Sequence, residues 1–293
     1  MTPKWLTMKA MALIIPSILA LDLPQYRALK TTESNNVLEV TIHNPDSIIN
    51  TWSQDIQYGL TDLVQRLGQD NETRVVIFKS DVPRFFLNHL DPAIFFVDKA
   101  VDNFAALMYN ISTLNQVTIA AVEGRARAAG NELLMAMDMR FATKKDVFLG
   151  QVENAFGTFP GGGGSQQLHR LIGKGLAMEY ILTSKDITAK EAERIGWINK
   201  AFDSPQDMYT HIGEITERLT LFPRDGIVAA KQAMNLRANP TSADFTNDVD
   251  LFNRILVTQN FTPIFTKYFE LTNNGSLSEL ELNFGRDATL LYK

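Results

Sequence analysis

Two glutamates carry the most chemically suggestive pattern in this sequence. Glu132 directly follows the small residues Ala128-Ala129-Gly130-Asn131, and Glu153 ends the segment Phe148-Leu-Gly-Gln-Val-Glu153. When two buried carboxylates lie close together, burial and mutual repulsion raise at least one pKa, so an acid form and a base form coexist near neutral pH. Such a pair suits general acid–base catalysis.

Each glutamate also has an ordinary interpretation. Glu132 fits a carboxylate in the first turn of a helix, stabilised by the helix dipole, because the helix-prone residues Leu133–Met137 follow it. Glu153 fits a solvated acid in a loop. The residue types alone leave both alternatives open.

A backbone site for an anion is predicted just before Glu132. The run Val117–Val122 is apolar and of strand length, Glu123-Gly124 ends it, and nothing bulky occurs from Ala128 to Asn131. The backbone there can approach a ligand closely, and Ala129 offers a free N–H at a helix N-terminus. That donor would stabilise negative charge developing on a carbonyl oxygen.

Four motifs, in order along the chain, resemble the crotonase superfamily, also called the enoyl-CoA hydratase/isomerase family. The resemblance covers roughly residues 38–235. The motifs are the segment from Ala120 to Asp138, Phe148–Glu153, Gly157–Leu168 and Ala189–Asn199.

The resemblance implies specific roles. In hydratases of this family two glutamates flank the substrate double bond, one activating water and the other handling the proton at the α-carbon; the matching positions are Glu132 and Glu153. The family's oxyanion hole takes one N–H from the position of Ala129 and one from the position of Leu90. The resemblance therefore implies Glu132 and Glu153 as catalytic residues and Leu90 and Ala129 as oxyanion donors.

The loop before Leu90 departs from the family pattern. His89 replaces the usual glycine, and Leu87 and Asn88 replace small residues that line the adenine pocket in CoA-binding relatives. If the backbone at position 89 has a positive φ, a non-glycine residue there is strained. His89 is either a third acid–base group or substrate contact, or a residue that shapes the turn by bonding local backbone.

Neighbouring charged and glycine residues have other interpretations. Arg125 and Arg127 could bind an anionic substrate or phosphates, although a solvated surface position is an alternative for at least one of them. The glycine run 161–164 lacks the Lys-Ser/Thr of a phosphate-binding P-loop and is interpreted as a tight turn before a helix. Asp91 and Asp138 match family positions with structural roles.

Composition excludes several classes of function. The net charge of −5 gives no support for nucleic-acid binding, and the absence of cysteine excludes disulfides, thiol nucleophiles and thiolate metal sites. The four histidines include no pair at ligand spacing, so we expect no metal site. We expect no resident cofactor, with a CoA thioester as the candidate substrate.

The N-terminal residues have the pattern of a secretory signal peptide. A short basic region up to Lys9 precedes the apolar run 10–19, and Ala20 is the small residue before a polar turn. The apolar run is shorter than the ~20 residues of a stable membrane span. We therefore expect a signal peptide over residues 1–20 and a secretory or extracellular location. The alternative is a disordered or docking arm on an intracellular protein.

Alternating strand and helix patterns predict an α/β fold. The predicted strands are 37–42, 74–79, 117–122, 140–143, 147–149 and 197–202, and the predicted helices are 54–67, 92–114, 131–138, 164–171, 175–182 and 188–195. The resemblance implies a spiral of ββα units over residues 21–203, a helical region over 204–293, and a homotrimer or hexamer.

The sequence leaves three hypotheses of function open. The first is hydration or double-bond isomerisation of an acyl-CoA thioester, which the two glutamates favour over a one-base isomerase. The second keeps the oxyanion chemistry without CoA, as a hydrolase, lyase or cyclase acting on a β-dicarbonyl or natural-product substrate. The third is an inactive scaffold that serves as an interaction protein.

Overall fold

Residues 21–293 are described by a computed structural model. The predicted signal peptide, residues 1–20, lies outside this range.

Ten strands and twelve α-helices form within the described residues. The strands are β1 (Leu29–Ser34), β2 (Val37–Ile42), β3 (Val75–Ser80), β4 (Phe85–Leu87), β5 (Val117–Val122), β6 (Arg125–Arg127), β7 (Met139–Thr143), β8 (Phe148–Gly150), β9 (Ile187–Thr188) and β10 (Lys200–Phe202). The helices are α1 (Gln54–Gln69), α2 (Ala100–Ser112), α3 (Ala129–Met135), α4 (Gly164–Ile172), α5 (Lys174–Thr183), α6 (Ala189–Ile195), α7 (Pro205–Leu221), α8 (Arg224–Ala238), α9 (Ser242–Thr258), α10 (Thr262–Thr272), α11 (Glu279–Leu282) and α12 (Phe284–Asp287).

The strands form two sheets between which the chain alternates. One sheet has the order β1-β2-β3-β5-β7-β10, with every neighbouring pair parallel except β1 and β2. The other has the order β4-β6-β8-β9. Strands β3, β5 and β7 of the first sheet are each followed along the chain by β4, β6 and β8 of the second. This repeated ββ step confirms the predicted spiral of ββα units.

Both faces of the larger sheet are covered, which explains the continuous apolar run of β5. Val117, Ile119 and Ala121 pack in a cluster that includes Met208 and Ile212 of α7. The alternate residues of β5 point into the main core on the opposite face. A parallel sheet with two covered faces requires strands that are apolar on both sides.

Two predicted elements are wrong in extent. The predicted helix 92–114 is interrupted: a 3-10 turn spans Pro92–Phe96, Lys99 takes a left-handed φ of 54°, and α2 begins at Ala100. The strand predicted over 197–202 begins only at Lys200, because Trp197 and Ile198 both donate backbone hydrogen bonds to Ala192 and so finish α6. The short strands β1, β4, β6 and β9 were not predicted.

The C-terminal helices pack against two separate hydrophobic clusters. Helix α9 packs against α2 at the main core. Helices α10–α12 and the final 3-10 turn Ala288–Tyr292 enclose an aromatic cluster that includes Phe156, Tyr268 and Phe284. Along residues 21–293, no helix combines the length and the apolar character that crossing a membrane requires.

Candidate active site

The structure brings all five sequence-predicted site residues to one cavity. Its volume is about 680 Å³ counted out to open solvent, and His89, Leu90, Ala129, Glu132 and Glu153 all line it. Most of the remaining wall is apolar and aromatic. The aromatic side chains of the wall are Phe95, Phe104, Phe156, Phe252, Phe265 and Tyr268.

A strained turn presents the N–H of Ala129. Ala128, between β6 and α3, has φ 48° and ψ −119°, a backbone conformation that residues other than glycine rarely adopt. The next position requires glycine, because a Cβ on Gly130 would lie 1.9 Å from the carbonyl oxygen of Leu87. The N–H of Ala129 donates to no acceptor within residues 21–293. It is therefore available at the cavity wall.

The second N–H comes from Leu90, which forms a parallel bridge with Trp52. The Trp52 N–H donates to the carbonyl of His89 at 2.9 Å, and the Asp91 N–H donates to the carbonyl of Trp52 at 2.9 Å. This pattern turns the N–H of Leu90 away from Trp52, and it too has no acceptor in the described chain. The expected strain at His89 is absent, because neither Asn88 nor His89 has a positive φ.

Glu132 is held by the N-terminus of α4. Its Oε1 accepts hydrogen bonds of 2.8 Å from the N–H groups of Gly162 and Gly164. The glycine run is required there, since a Cβ on Gly162 would lie 2.0 Å from the ring of Phe104. Burial raises the pKa of Glu132 to about 8 although these two donors favour the charged form. Asp248 adds to the rise.

Glu153 is oriented by a chain of buried amides. Trp197 Nε1 donates to Asn131 Oδ1 at 3.1 Å, Asn131 Nδ2 donates to Gln151 Oε1 at 2.6 Å, and Gln151 Nε2 donates to Glu153 Oε1 at 3.2 Å. The other oxygen, Oε2, is hidden from solvent and has no protein hydrogen-bond partner among the described residues. Burial, followed by the charge of Glu132, raises the pKa of Glu153 well above its ordinary value.

His89 belongs to a buried polar cluster with Tyr268 and Glu281. Its Nδ1 lies 3.0 Å from the carbonyl oxygen of Leu90, and its Nε2 lies 3.0 Å from Tyr268 Oη and 3.3 Å from Glu281 Oε1. Tyr268 Oη donates to the same Glu281 oxygen at 2.5 Å, and Asn88 Nδ2 donates to the other at 2.8 Å. Glu281 is fully buried.

The charges of this cluster support one another. Burial alone would lower the pKa of His89, but the charge and hydrogen bond of Glu281 outweigh it, so the pKa is raised. Burial alone would raise the pKa of Glu281, but His89 and the hydrogen bond from Tyr268 lower it to about 2. The favoured state is an imidazolium beside a carboxylate.

The family assignment follows from sequence comparison. The family model for enoyl-CoA hydratase/isomerase matches residues 32–273. The chain belongs to this family. It is 30% identical over 209 residues to the short-chain-enoyl-CoA hydratase of Clostridium acetobutylicum, covering 69% of this chain and 79% of that protein. It is 29% identical over 255 residues to the crotonyl-CoA hydratase of Syntrophomonas wolfei, covering 84% and 97%.

Solved structures show the same fold. An enoyl-CoA hydratase-like protein from Streptomyces avermitilis superposes with a TM-score of 0.83 at 33% identity, covering 90% of this chain and 97% of that one. An enoyl-CoA hydratase from Mycobacterium avium subsp. paratuberculosis superposes with a TM-score of 0.76 at 22% identity, covering 85% and 98%. These comparisons identify this protein as an enzyme of the enoyl-CoA hydratase/isomerase family.

Two arginines of this family member neither line the cavity as anion-binding groups nor lie on the solvated surface, so both sequence-based interpretations are wrong. Arg125 and Arg127 are buried and bind protein rather than solvent or the cavity. Arg127 pairs with both oxygens of Asp186 and donates to the carbonyl of Glu281, while Arg125 donates to the carbonyl of Leu282. They attach α11 to β6.

Sequence reasoning missed most of the residues that support the site. Tyr268 and Glu281 lie far along the chain from His89, and no local pattern marks them. Gln151 carried a weak signal, since its position two residues before Glu153 lets a side chain in the same loop reach the carboxylate. In the part of the chain that the structure describes, no group of three or more His, Asp or Glu side chains is arranged to hold a metal ion.

Proposed function

We propose that this enzyme adds water across the double bond of an enoyl thioester. The main support for this proposal is that one cavity contains two carboxyl groups with raised pKa values and two N–H groups that have no acceptor within residues 21–293. A hydratase needs these elements together: a base for water, an acid for carbon, and donors for the thioester oxygen.

The hydrogen bonds support a different role for each carboxyl group. Two backbone donors stabilise the charged form of Glu132, whereas Glu153 Oε2 is buried with no donor. When two buried carboxyl groups share one proton, the proton resides on the group with fewer donors. Glu132 is then the base that activates water, and Glu153 is the acid.

The reaction balances with these two groups. Glu132 takes a proton from water as the water oxygen bonds to the β-carbon, and the electron pair of the double bond moves toward the thioester carbonyl. The N–H groups of Leu90 and Ala129 hold the resulting negative charge on oxygen. Glu153 then gives its proton to the α-carbon. Transfer of the proton from Glu132 back to Glu153, directly or through solvent, restores the pair.

The wall of the cavity favours an uncharged acyl group. Its side chains are mostly aromatic and aliphatic, and His89, the one basic residue among the cavity-lining positions of the described chain, is already paired with Glu281. An acyl chain with a second carboxylate would have no cation to meet there. We therefore expect short, apolar 2-enoyl groups.

A second candidate keeps this chemistry but does not require the CoA nucleotide. The family resemblance implies an adenine pocket lined by positions 87–89, where Leu87 and Asn88 are fully buried and Asn88 bonds to Glu281 of α11. We infer that these contacts leave less room for a nucleotide than small residues would. They support a thioester on a shorter carrier, or a free β-dicarbonyl substrate.

Hydration of crotonyl-CoA and of crotonyl-pantetheine, followed by the loss of enoyl thioester absorbance, tests both candidates. We expect Glu132→Gln and Glu153→Gln each to lower kcat by about 10²-fold or more. Glu191→Gln, on the exposed surface, is the control. No hydration of either thioester by the wild-type enzyme would contradict the proposal. Equal kcat/KM for the two carriers would support the second candidate, because the nucleotide would then contribute no binding energy.

We propose a homotrimer or hexamer. The apolar side chains Met234, Leu236 and Val257 of α8 and α9 are exposed in the single chain, and association would bury such residues. Light scattering after size exclusion of the full 293-residue chain should give three or six times its mass of 32.9 kDa.

We also propose that residues 1–20 direct the protein into the secretory pathway, on the sequence pattern alone. N-terminal sequencing of the protein from its native host should begin near Leu21, and an intact Met1 would contradict this.

A further inference from the structure

The side chain of His89 bonds to the backbone that carries the proposed oxyanion donor. Nδ1 of His89 lies 3.0 Å from the carbonyl oxygen of Leu90, a group that can only accept, so Nδ1 carries a proton. On the other side of the ring, Nε2 faces Tyr268 Oη and Glu281 Oε1. Because Tyr268 donates its own proton to Glu281, Nε2 also meets acceptors. Both ring nitrogens are therefore occupied as donors.

The backbone around Leu90 is fixed from two directions. Trp52 bonds to the carbonyl of His89 and to the N–H of Asp91, which holds one edge of the segment. The imidazole of His89 holds the carbonyl of Leu90 at the opposite edge. With these three groups bound, the N–H of Leu90 has little freedom to rotate away from the cavity.

The C-terminal region anchors this arrangement. Glu281 in α11 binds His89, Tyr268 of α10 and Asn88, and its own carbonyl accepts from Arg127, which is paired with Asp186. The imidazole thus connects the oxyanion loop to two helices that come from the far end of the sequence.

We propose that His89, held by Glu281 and Tyr268, is a positioning residue that fixes the Leu90 N–H for the thioester oxyanion. This inference rests on the proposed oxyanion role of Leu90. Since both ring nitrogens are occupied, His89 acts through the backbone and transfers no proton to substrate.

Two isosteric substitutions separate the two sides of the ring. The amide nitrogen of asparagine lies near the place of Nδ1 and can still donate to the Leu90 carbonyl, whereas that of glutamine lies near the place of Nε2 and reaches Glu281 instead. We expect His89→Gln to lower kcat on an enoyl-pantetheine thioester by about 10²-fold, as loss of an oxyanion donor does, and His89→Asn to stay within about 5-fold of wild type. Equal kcat values for the two variants would overturn the proposal.

Hydrogen–deuterium exchange of the segment 88–91 provides a readout that needs no substrate. We expect the amides of Asn88 and Asp91, which bond to Asn50 and Trp52, to exchange faster in His89→Gln than in His89→Asn. Equal exchange would overturn the positioning role even if the enzyme hydrates enoyl thioesters, and failure of hydration would leave this result intact. If His89→Gln does not fold, Tyr268→Phe replaces it: faster exchange of the segment is expected, and wild-type exchange would overturn the proposal.

Discussion

Asn131 donates a 2.6 Å hydrogen bond to Gln151, and this contact joins helix α3 to the loop that carries Glu153. Asn131 is itself fixed by Trp197, so a rigid indole at the end of α6 sets the position of a carboxyl group two hydrogen-bonded side chains away. Glu132 lies on the same short helix as Asn131. One helix therefore supplies the first carboxyl group and orients the second.

Removal of the amide link should affect turnover more than substrate binding. We expect Gln151→Ala to lower kcat by about 10-fold with little change in KM, because Glu153 keeps its place in the cavity but loses the bond that orients it. Gln116→Ala is the control, since this buried amide donates to the carbonyls of Leu67 and Asp70 away from the cavity. Wild-type kcat in Gln151→Ala would show that the amide chain has no role in orientation.

The raised pKa of Glu132 should make the protein less stable as pH rises. A carboxyl group with an ordinary pKa near 4.5 and a folded pKa of about 8 binds more protons in the folded state across that interval, so the free energy of unfolding falls between these pH values. Glu132→Gln cannot ionise and keeps an oxygen for the N–H groups of Gly162 and Gly164. We expect its Tm to match wild type near pH 4.5 and to exceed it by about 2 °C or more at pH 8.

Thermal denaturation of both proteins from pH 4.5 to pH 8 measures this difference. Glu191→Gln is the control, because Glu191 is charged and exposed in an ion pair with Arg194. A gap between Glu132→Gln and wild type that shrinks as pH rises would contradict the raised pKa.

The sequence predicted the cavity residues because their signals are local. The small residues before Glu132 and the loop around Leu90 are motifs formed by residues that are adjacent in the sequence. The structure brings His89, Leu90, Ala129, Glu132 and Glu153 to one cavity. Local patterns also predicted the long strands and helices, since β5 is a continuous apolar run that is buried throughout and α1 has its buried apolar residues at helical spacing.

Contacts between distant segments could not be predicted in the same way. Arg125 and Arg127 have the sequence of a charged surface strand, yet they are buried because α11 supplies acceptors from more than a hundred positions away. Glu281 meets His89 only because α10 and α11 fold back onto the loop that follows β4. A single sequence contains no local record of such pairing, so Tyr268 and Glu281 were missed.

Strain at Ala128 should be removable. Its φ of 48° and ψ of −119° define a backbone conformation that glycine adopts freely. A residue with a Cβ adopts it at a cost of about 1–3 kcal/mol. We expect Ala128→Gly to raise Tm, whereas Ala126→Gly, at a buried extended position in β6, should lower it. Gly130→Ala, whose Cβ would clash with the Leu87 carbonyl, should also lower Tm and reduce kcat. A lower Tm in Ala128→Gly would contradict the strained conformation.

The ion pair of Arg127 and Asp186 should control whether the C-terminal helices stay attached. Both side chains are almost inaccessible, and Asp186 also accepts from the N–H of Gly285 in α12. Asp186→Asn leaves a buried guanidinium without its counter-charge, which costs about 3–5 kcal/mol, so we expect Tm to fall by about 6 °C or more. Asp203→Asn is the matched control, because Asp203 pairs with Lys144 on the exposed surface, where such a pair contributes about 0–1 kcal/mol.

Limited proteolysis should cleave the segment 276–293 faster in Asp186→Asn than in wild type or in Asp203→Asn. If cleavage and Tm are the same in both variants, the ion pair does not hold this segment, and the anchoring of Glu281 beneath His89 depends on the aromatic cluster around Phe156 and Phe284 instead.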